Sequence, residues 1–222
     1  MVTEEVKSRS YDNAGRETQS AETRQRIVEA ARALMIEKGY RATTIAAVAG
    51  RAGVHVDTVY QLVGRKPVLL RELIEQAISG TSGAVTAEDR DYVRAIRGEP
   101  DPARKLDIYA GAMRHIQTRM APLLLALRDA SNTEPEAATV WREISDRRAA
   151  NMRRLAEELA AAGGLRPGLS VDEAADVIWA TNSSEVYVLL TSERGWTPDR
   201  YERWLADTWR RLLLPARRGE SP

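Results

Sequence analysis

At 222 residues, with 43% hydrophobic and 29% charged content, the chain is long enough for one small module plus a larger domain with its own core, and it reads as soluble and globular. No apolar run approaches the roughly 20 residues that span a bilayer and no charged-then-apolar leader opens the chain, so a cytoplasmic protein with no membrane partner is expected. Zero cysteine excludes disulfides, thiolate metal sites and cysteine redox sensing, and His55 and His115 alone leave little for a histidine metal centre, so neither a metal nor a cofactor is expected.

Residues 1–20 are polar, charged and without periodicity, which predicts a mobile tail. Lys7, Arg9 and Arg16 could serve there as an arm into a minor groove, although Glu4, Glu5, Asp12 and Glu17 cancel the charge. A helix is predicted from Glu22 to Lys38, with Ile27, Ala30, Ala31, Leu34 and Met35 as its buried stripe and Gly39 closing it. Thr43 and Thr44 then precede an apolar run, and a hydroxyl there can accept from an unpaired backbone N–H of the first helical turn. Ile45, Val48, Ala49 and Ala52 recur at spacings of three and four, so this second helix leans on neighbours. Gly53 suits the left-handed conformation that ends a helix and turns the chain.

Val54 can plug the angle, and His55 or Asp57 supplies a polar start for a third helix from about Val56 to Leu62. Val59, Leu62 and Val63 can face inward, which leaves Val56, Asp57, Thr58, Tyr60 and Gln61 facing out. Two short helices around a glycine turn, with these groups exposed on the second, read as a helix-turn-helix. The net charge of only +1 is no objection. From Arg41 to Lys66 there are four basic residues and one acidic, a local positive face inside a neutral whole.

A fourth helix is predicted from Lys66 to Ser79, with Pro67 in its first turn, Leu69, Leu70, Leu73, Ile74 and Ala77 at helical spacing, and its end at Gly80 to Gly83. Asp101-Pro102 starts the next helix, whose stripe is Leu106, Tyr109, Met113, Ile116 and Met120. Pro122 is expected to break it, leaving a short Leu123 to Arg128 segment. A long helix follows from Glu134 to Ala162 and stops at Gly163-Gly164. Ser170 caps a helix expected to contain Val171, Ala174, Ile178, Asn182, Val186 and Leu189 on one side, with Val177, Thr181 and Val188 off that stripe, so that it needs two partners. Thr197-Pro198 opens the last helix, which aligns Tyr201, Trp204, Leu205, Thr208, Trp209 and Leu212.

The stretch from Glu22 to Ser79 resembles the tetracycline-repressor (TetR) family of bacterial transcriptional regulators. The resemblance is carried by Lys38-Gly39-Tyr40, Thr43-Thr44, Arg51-Ala52-Gly53-Val54, Thr58-Val59-Tyr60 and Lys66 opening the fourth helix. Three positions depart from the family pattern: Asp57 where Gly is frequent, Val63 where an aromatic residue is, and Ala46 where a basic or polar residue is. Asp57 is either a reader of cytosine N4 or a residue tolerated away from the backbone, and Ala46 shifts weight onto the third helix.

The resemblance implies an all-α fold with a tail over 1–20, a three-helix helix-turn-helix DNA-binding domain over 21–65, and a larger helical ligand-binding and dimerisation domain over 66–222. It implies a regulator, most simply a repressor, that binds a palindromic double-stranded DNA operator as a homodimer and is released by an unknown small-molecule effector. A DNA-bound regulator controlled by a protein partner and a ligand-responsive activator are the alternatives. An all-α enzyme is disfavoured, since no nucleophile–base pair, phosphate-cradling glycine loop or metal-ligand cluster is present.

Within that reading Thr44, Tyr60 and Lys66 are expected at phosphates, and Val56, Asp57, Thr58 and Gln61 at base edges. His55 is either a base reader or a helix cap. The last two helices are the dimer candidates, through Val186, Leu189, Trp204, Thr208, Trp209 and Leu212. That Trp204 and Trp209 belong to the chain's own core is the other reading. Polar residues embedded in apolar stripes mark an effector pocket at Tyr109, Met113, Gln117, Trp141, Arg148, Met152 and Asn182, unless they satisfy one another internally.

Overall fold

The computed structural model describes residues 3–81, 85, 86 and 88–216, with the side chains of 3–14 outside the description; Met1, Val2, Gly83 and the last six residues of the expected second domain also lie outside it. The described residues are helical without a strand, and the chain divides into two compact units, Met1–Leu73 and Ile74–Pro222.

In the first unit α1 spans Thr3–Ala42, α2 Ile45–Ala52 and α3 Val56–Leu62, and the unit includes the opening of α4, Lys66–Ser79. The first helix starts well before the expected Glu22. From Gly15 to Glu22 its residues are exposed, and a helix without a buried face leaves no periodic apolar stripe to read. Gly39 interrupts α1 with φ 76° and ψ 169°. The buried Thr43 hydroxyl donates to the Gly39 carbonyl at 2.8 Å, so of the two threonines it is Thr44 that caps α2, accepting from the Ala47 N–H at 3.1 Å. Gly53, at φ 68°, closes α2, with the Val54 N–H donating to the Ala49 carbonyl at 3.0 Å. Ile27, Leu34, Met35, Tyr40, Val48, Val59, Leu69 and Leu70 are buried in this unit. Arg24 fastens it from outside, pairing through two nitrogens with the Glu72 carboxylate and donating Nε to the Leu62 carbonyl at 3.2 Å.

The second unit holds the end of α4, then α5 Asp91–Gly98, α6 Pro102–Ser131, α7 Pro135–Ala161, α8 Val171–Thr181, α9 Ser184–Val188, a π-helical turn Leu189–Glu193, and α10 Pro198–Leu213. Three expectations are corrected. Helix α5 was not foreseen. Pro122 does not break α6, which runs through it to Ser131. Proline inside a helix costs about 3 kcal/mol, but Leu123, Leu124 and Leu127 beyond it are all buried, and burying each leucine is worth about 1.5–3 kcal/mol. The single helix expected from Val171 through Leu189 is cut at Asn182. There the Ser183 hydroxyl accepts from the Val186 N–H at 3.3 Å and the Asn182 carbonyl accepts from Gln117, so side chains replace the helical ladder.

The long helix does start one residue after Glu134 and end at Ala161 before Gly163 at φ 67°. Ser170 opens α8 with a reciprocal cap, accepting from the Glu173 N–H at 3.2 Å while the Ser170 N–H donates to the Glu173 carboxylate at 2.9 Å. The core of the unit centres on Trp209, wholly buried, stacked on Tyr109 with ring centroids 5.3 Å apart, its indole N–H donating to Thr181 Oγ1 at 2.7 Å. Tyr201 and Leu205 from α10 and Leu106 from α6 are wholly buried as well.

Candidate functional sites

Helix α3 presents Val56 at 39% exposure and Tyr60 at 49%, with Asp57 and Gln61 exposed and Thr58 half-buried beside them. The geometry follows from Val59, which is fully buried and anchors the opposite side. Exposed Val56 and Tyr60 give the face apolar surface beside polar groups, suited to a surface that is itself mixed, such as thymine methyls among hydrogen-bonding base edges. His55 occupies the position before α3 without a capping hydrogen bond from its side chain, and its backbone carbonyl starts the helix. Lys66 is held at the edge of this unit, Nζ 4.0 Å from the centroid of the Tyr40 ring and donating to the Tyr40 carbonyl at 3.1 Å. Arg51 is bound through both terminal nitrogens to Glu37, at 2.7 and 2.9 Å, and this pairing holds the Glu37 carboxyl below its ordinary range. Part of the local positive charge is therefore already answered within the unit.

The second unit encloses a cavity between the end of α4, α5, α6, α7 and the break after α8, with about 140 Å³ open to the centre of a water-sized sphere. A single water needs only ~10–15 Å³ by that measure, so the space suits a small organic molecule. Much of its wall is apolar, Val93 and Ile96 from α5, Met113, Ile116 and Met120 from α6, Ile144 and Leu155 from α7, and charged side chains such as Glu88, Arg90, Arg147 and Glu158 also line it. One end is polar. The Tyr109 hydroxyl accepts from Asn182 Nδ2 at 3.1 Å and donates to the Met152 sulfur at 3.3 Å, Asn182 Oδ1 accepts from Arg148, and Gln117 Oε1 accepts from the Ser184 hydroxyl at 2.8 Å. Burial pushes the Tyr109 phenol well above its usual range, so it stays a neutral hydroxyl, and burial draws the Arg148 guanidinium below its usual value.

The pattern of bacterial regulatory proteins of the tetR family matches residues 27–73, the region that contains α2 and α3. Residues 27–73 therefore form an N-terminal domain of the tetR family. Members of the family are transcriptional regulators, not enzymes. No curated protein matches the chain. Solved structures share its fold: the fatty acid degradation regulator FadR from Bacillus halodurans at 18% identity and TM-score 0.65, covering 84% of this chain and 94% of that one. FadR from Bacillus subtilis in complex with stearoyl-CoA is 18% identical at TM-score 0.67, covering 83% and 96%. NalD of Pseudomonas aeruginosa, the secondary repressor of the MexAB-OprM multidrug efflux pump, is 22% identical at TM-score 0.68, covering 88% and 98%.

Beyond the tetR-family N-terminal domain, six of the seven residues singled out for a pocket, Tyr109, Met113, Gln117, Arg148, Met152 and Asn182, line one cavity. Trp141 does not. It lines a neighbouring groove with Arg128, Trp179 and Glu185, where the Arg128 guanidinium lies 5.8 Å from its ring centroid. Sequence reasoning missed Tyr92, Val93 and Ile96, whose spacing within the eight residues of α5 was the available signal. Among the interface candidates Trp209 is corrected: it is wholly buried inside its own chain and packs the core, where no second subunit can reach it. Trp204 is half-buried against Trp196 and Tyr201, with centroids 6.1 and 6.0 Å away, and Val186 and Thr208 are half-buried. Leu189 and Leu212 are 48% and 42% exposed, and Trp179, not foreseen, is 38% exposed. Among the described residues no helix is long and apolar enough to cross a membrane, and no cluster of three acidic or histidine side chains could hold a metal.

Proposed function

We propose that this chain is a cytoplasmic repressor, with a DNA-binding domain over 21–65 and a regulatory domain over 66–222, that grips a palindromic operator as a homodimer and is released by a small molecule bound in the second unit. The observation that carries this reading is the largely apolar cavity, with a buried polar cluster at Tyr109, Gln117 and Asn182, in the unit that does not contain α3. A protein-controlled regulator would have no need of it. Support also comes from proteins of the same fold: FadR from Bacillus subtilis is in complex with stearoyl-CoA, a regulator from Saccharomonospora viridis is in complex with choline, and NalD is a repressor.

Thr44, Tyr60 and Lys66 hold phosphates, and Val56, Asp57, Thr58 and Gln61, with His55 beside them, meet base edges. One α3 spans only a few base pairs. Two of them about 34 to 36 Å apart reach successive major grooves and multiply their affinities, which requires a dimer. Val186, Leu189, Trp204, Thr208 and Leu212 supply its interface, and the exposed Leu189 and Leu212 are the apolar surface a partner would cover. A ligand in the cavity acts by preferring a spacing of the two readers that no longer fits the operator, through α4, which carries Lys66 at its start and the cavity residue Ile78 near its end.

The test is a mobility shift on a palindromic site taken from the chain's own genome, run against a small-molecule library, with light scattering on the free protein. Release by a library compound and a dimer at micromolar concentration are expected. A monomer, or DNA release by no compound, would overturn the reading.

A further inference from the structure

We propose that the cavity of the second unit takes an amphiphilic anion, an apolar body ending in one carboxylate or comparable head, with the head seated between the Arg148 guanidinium and the Tyr109 hydroxyl. The proposal rests on the reading of that cavity as the effector site and names the chemical class of its ligand.

The cations around the cavity are not alike. Arg90 and Arg147 both pair with Glu75, Arg154 faces Glu88 at 3.9 Å, and Lys105 lies 3.7 Å from Glu158. Arg97, also on the lining, is exposed to solvent. Arg148 is the exception. It lines the cavity half-buried, and among the described residues its partners are neutral: the Trp179 carbonyl, Asn182 Oδ1 and the face of the Trp179 ring at 4.8 Å. Glu185, the acidic group that acts on it from a distance, is already paired with Arg128. A guanidinium cannot shed its charge and carries five N–H donors, yet both hydrogen bonds of Arg148 leave from Nη2 alone. A partly desolvated cation with only dipoles for company is a standing demand for an anion.

Tyr109 completes the seat. It is joined to Arg148 through a single amide, since Asn182 accepts from Arg148 with Oδ1 and donates to the Tyr109 oxygen with Nδ2. The Tyr109 proton is spent on the Met152 sulfur, a weak acceptor that an oxyanion would outcompete. Of the other lining residues Arg90, Arg147 and Arg154 are already in ion pairs, whereas Ile96, Met113, Ile116, Met120, Leu124 and Leu155 ask for an apolar body, and methionines adapt to irregular shapes. Occupancy also has an exit. An anion that engages Arg148 draws it from Asn182, at the cut between α8 and α9, and from Trp179, which is 38% exposed in the last turn of α8.

The test is calorimetry on the full chain with three probes below their micelle concentrations: decanoate, 1-decanol and decyltrimethylammonium. Decanoate is expected to bind at least about tenfold more tightly than decanol, and the ammonium more weakly than either. Arg148→Met should bring decanoate down to the affinity of decanol while leaving decanol unchanged. Tyr109→Phe, which keeps the ring and its stacking, should erode the same preference by a smaller factor and serves if Arg148→Met does not fold. Equal binding of decanol or the ammonium to the natural chain, no binding of any probe, or a preference for decanoate that survives Arg148→Met would overturn the assignment. Operator binding separates the two readings. Decanoate held through Arg148 without release of DNA sustains the anion seat and defeats the effector role, whereas DNA release by the ammonium does the reverse.

Discussion

The two units of this chain carry their chemistry on opposite sides of their helices. In the first unit the proposed contacts sit outside, most of them on the seven residues of α3, with Val59 buried behind them. In the second they sit inside, brought together from α6, α7 and the α8–α9 break across more than seventy residues of sequence. An outward face must keep unusual residues exposed, and exposure next to a buried anchor leaves a local signature. An inward cavity is made by helices that come together only in the fold, and its residues look like ordinary core until the packing is known.

The sharpest way to break this contrast is at the centre of the second unit. Trp209→Ala removes a fully buried indole, its stacking on Tyr109 and its bond to Thr181, and should cost about 3–5 kcal/mol of stability in chemical denaturation. A loss below about 1 kcal/mol would mean that Trp209 is not the keystone of that core. On the outer face the effects should be smaller and divided by role. Gln61→Ala should lose about 1–3 kcal/mol of discrimination at one symmetric base pair and little elsewhere, whereas Tyr60→Phe should weaken every DNA sequence by about 1 kcal/mol. A quantitative mobility-shift series reads both, and identical profiles for the two variants would dissolve the distinction between base and phosphate contacts.

Smaller still is the cap of α8. Ser170→Ala should cost about 1 kcal/mol by thermal or denaturant unfolding. Hydrogen bonds from Ser170 hold the Glu173 carboxyl below its ordinary value of 4.5. Its contribution is therefore complete above the unfolded value and fades as pH falls through the lower folded one. The backbone N–H of residue 170 is the larger cause and the hydroxyl the smaller, so Ser170→Ala should shrink that acid-side slope and Glu173→Gln should abolish it. An unchanged slope in Glu173→Gln would show that it arises from another group.

Legibility followed the same division. Thr44, Gly53, Ser170, Thr197 and the glycine after α7 were readable because caps are local hydrogen bonds between neighbours in sequence. Pro122 was misread because the cost of a proline is local and the burial of Leu123, Leu124 and Leu127 that outweighs it is not. The cut at Asn182 was invisible for a related reason: the carbonyl it frees is taken by Gln117, sixty-five positions earlier. Trp209 could not be told from an interface residue by its stripe alone, since an apolar stripe says that something covers it and not what. The polar residues of the cavity were recognisable as misfits in apolar stripes, but α5 was too short to announce the wall it adds.

The central claim is that the inner cavity governs the outer face, and its most direct test is a closed cycle of equilibrium titrations. Operator affinity is measured with and without a saturating compound that fills the cavity, and compound affinity with and without operator. The account predicts that the compound weakens operator binding and that the operator weakens compound binding by the same factor. Operator affinity unchanged with the cavity saturated would contradict it.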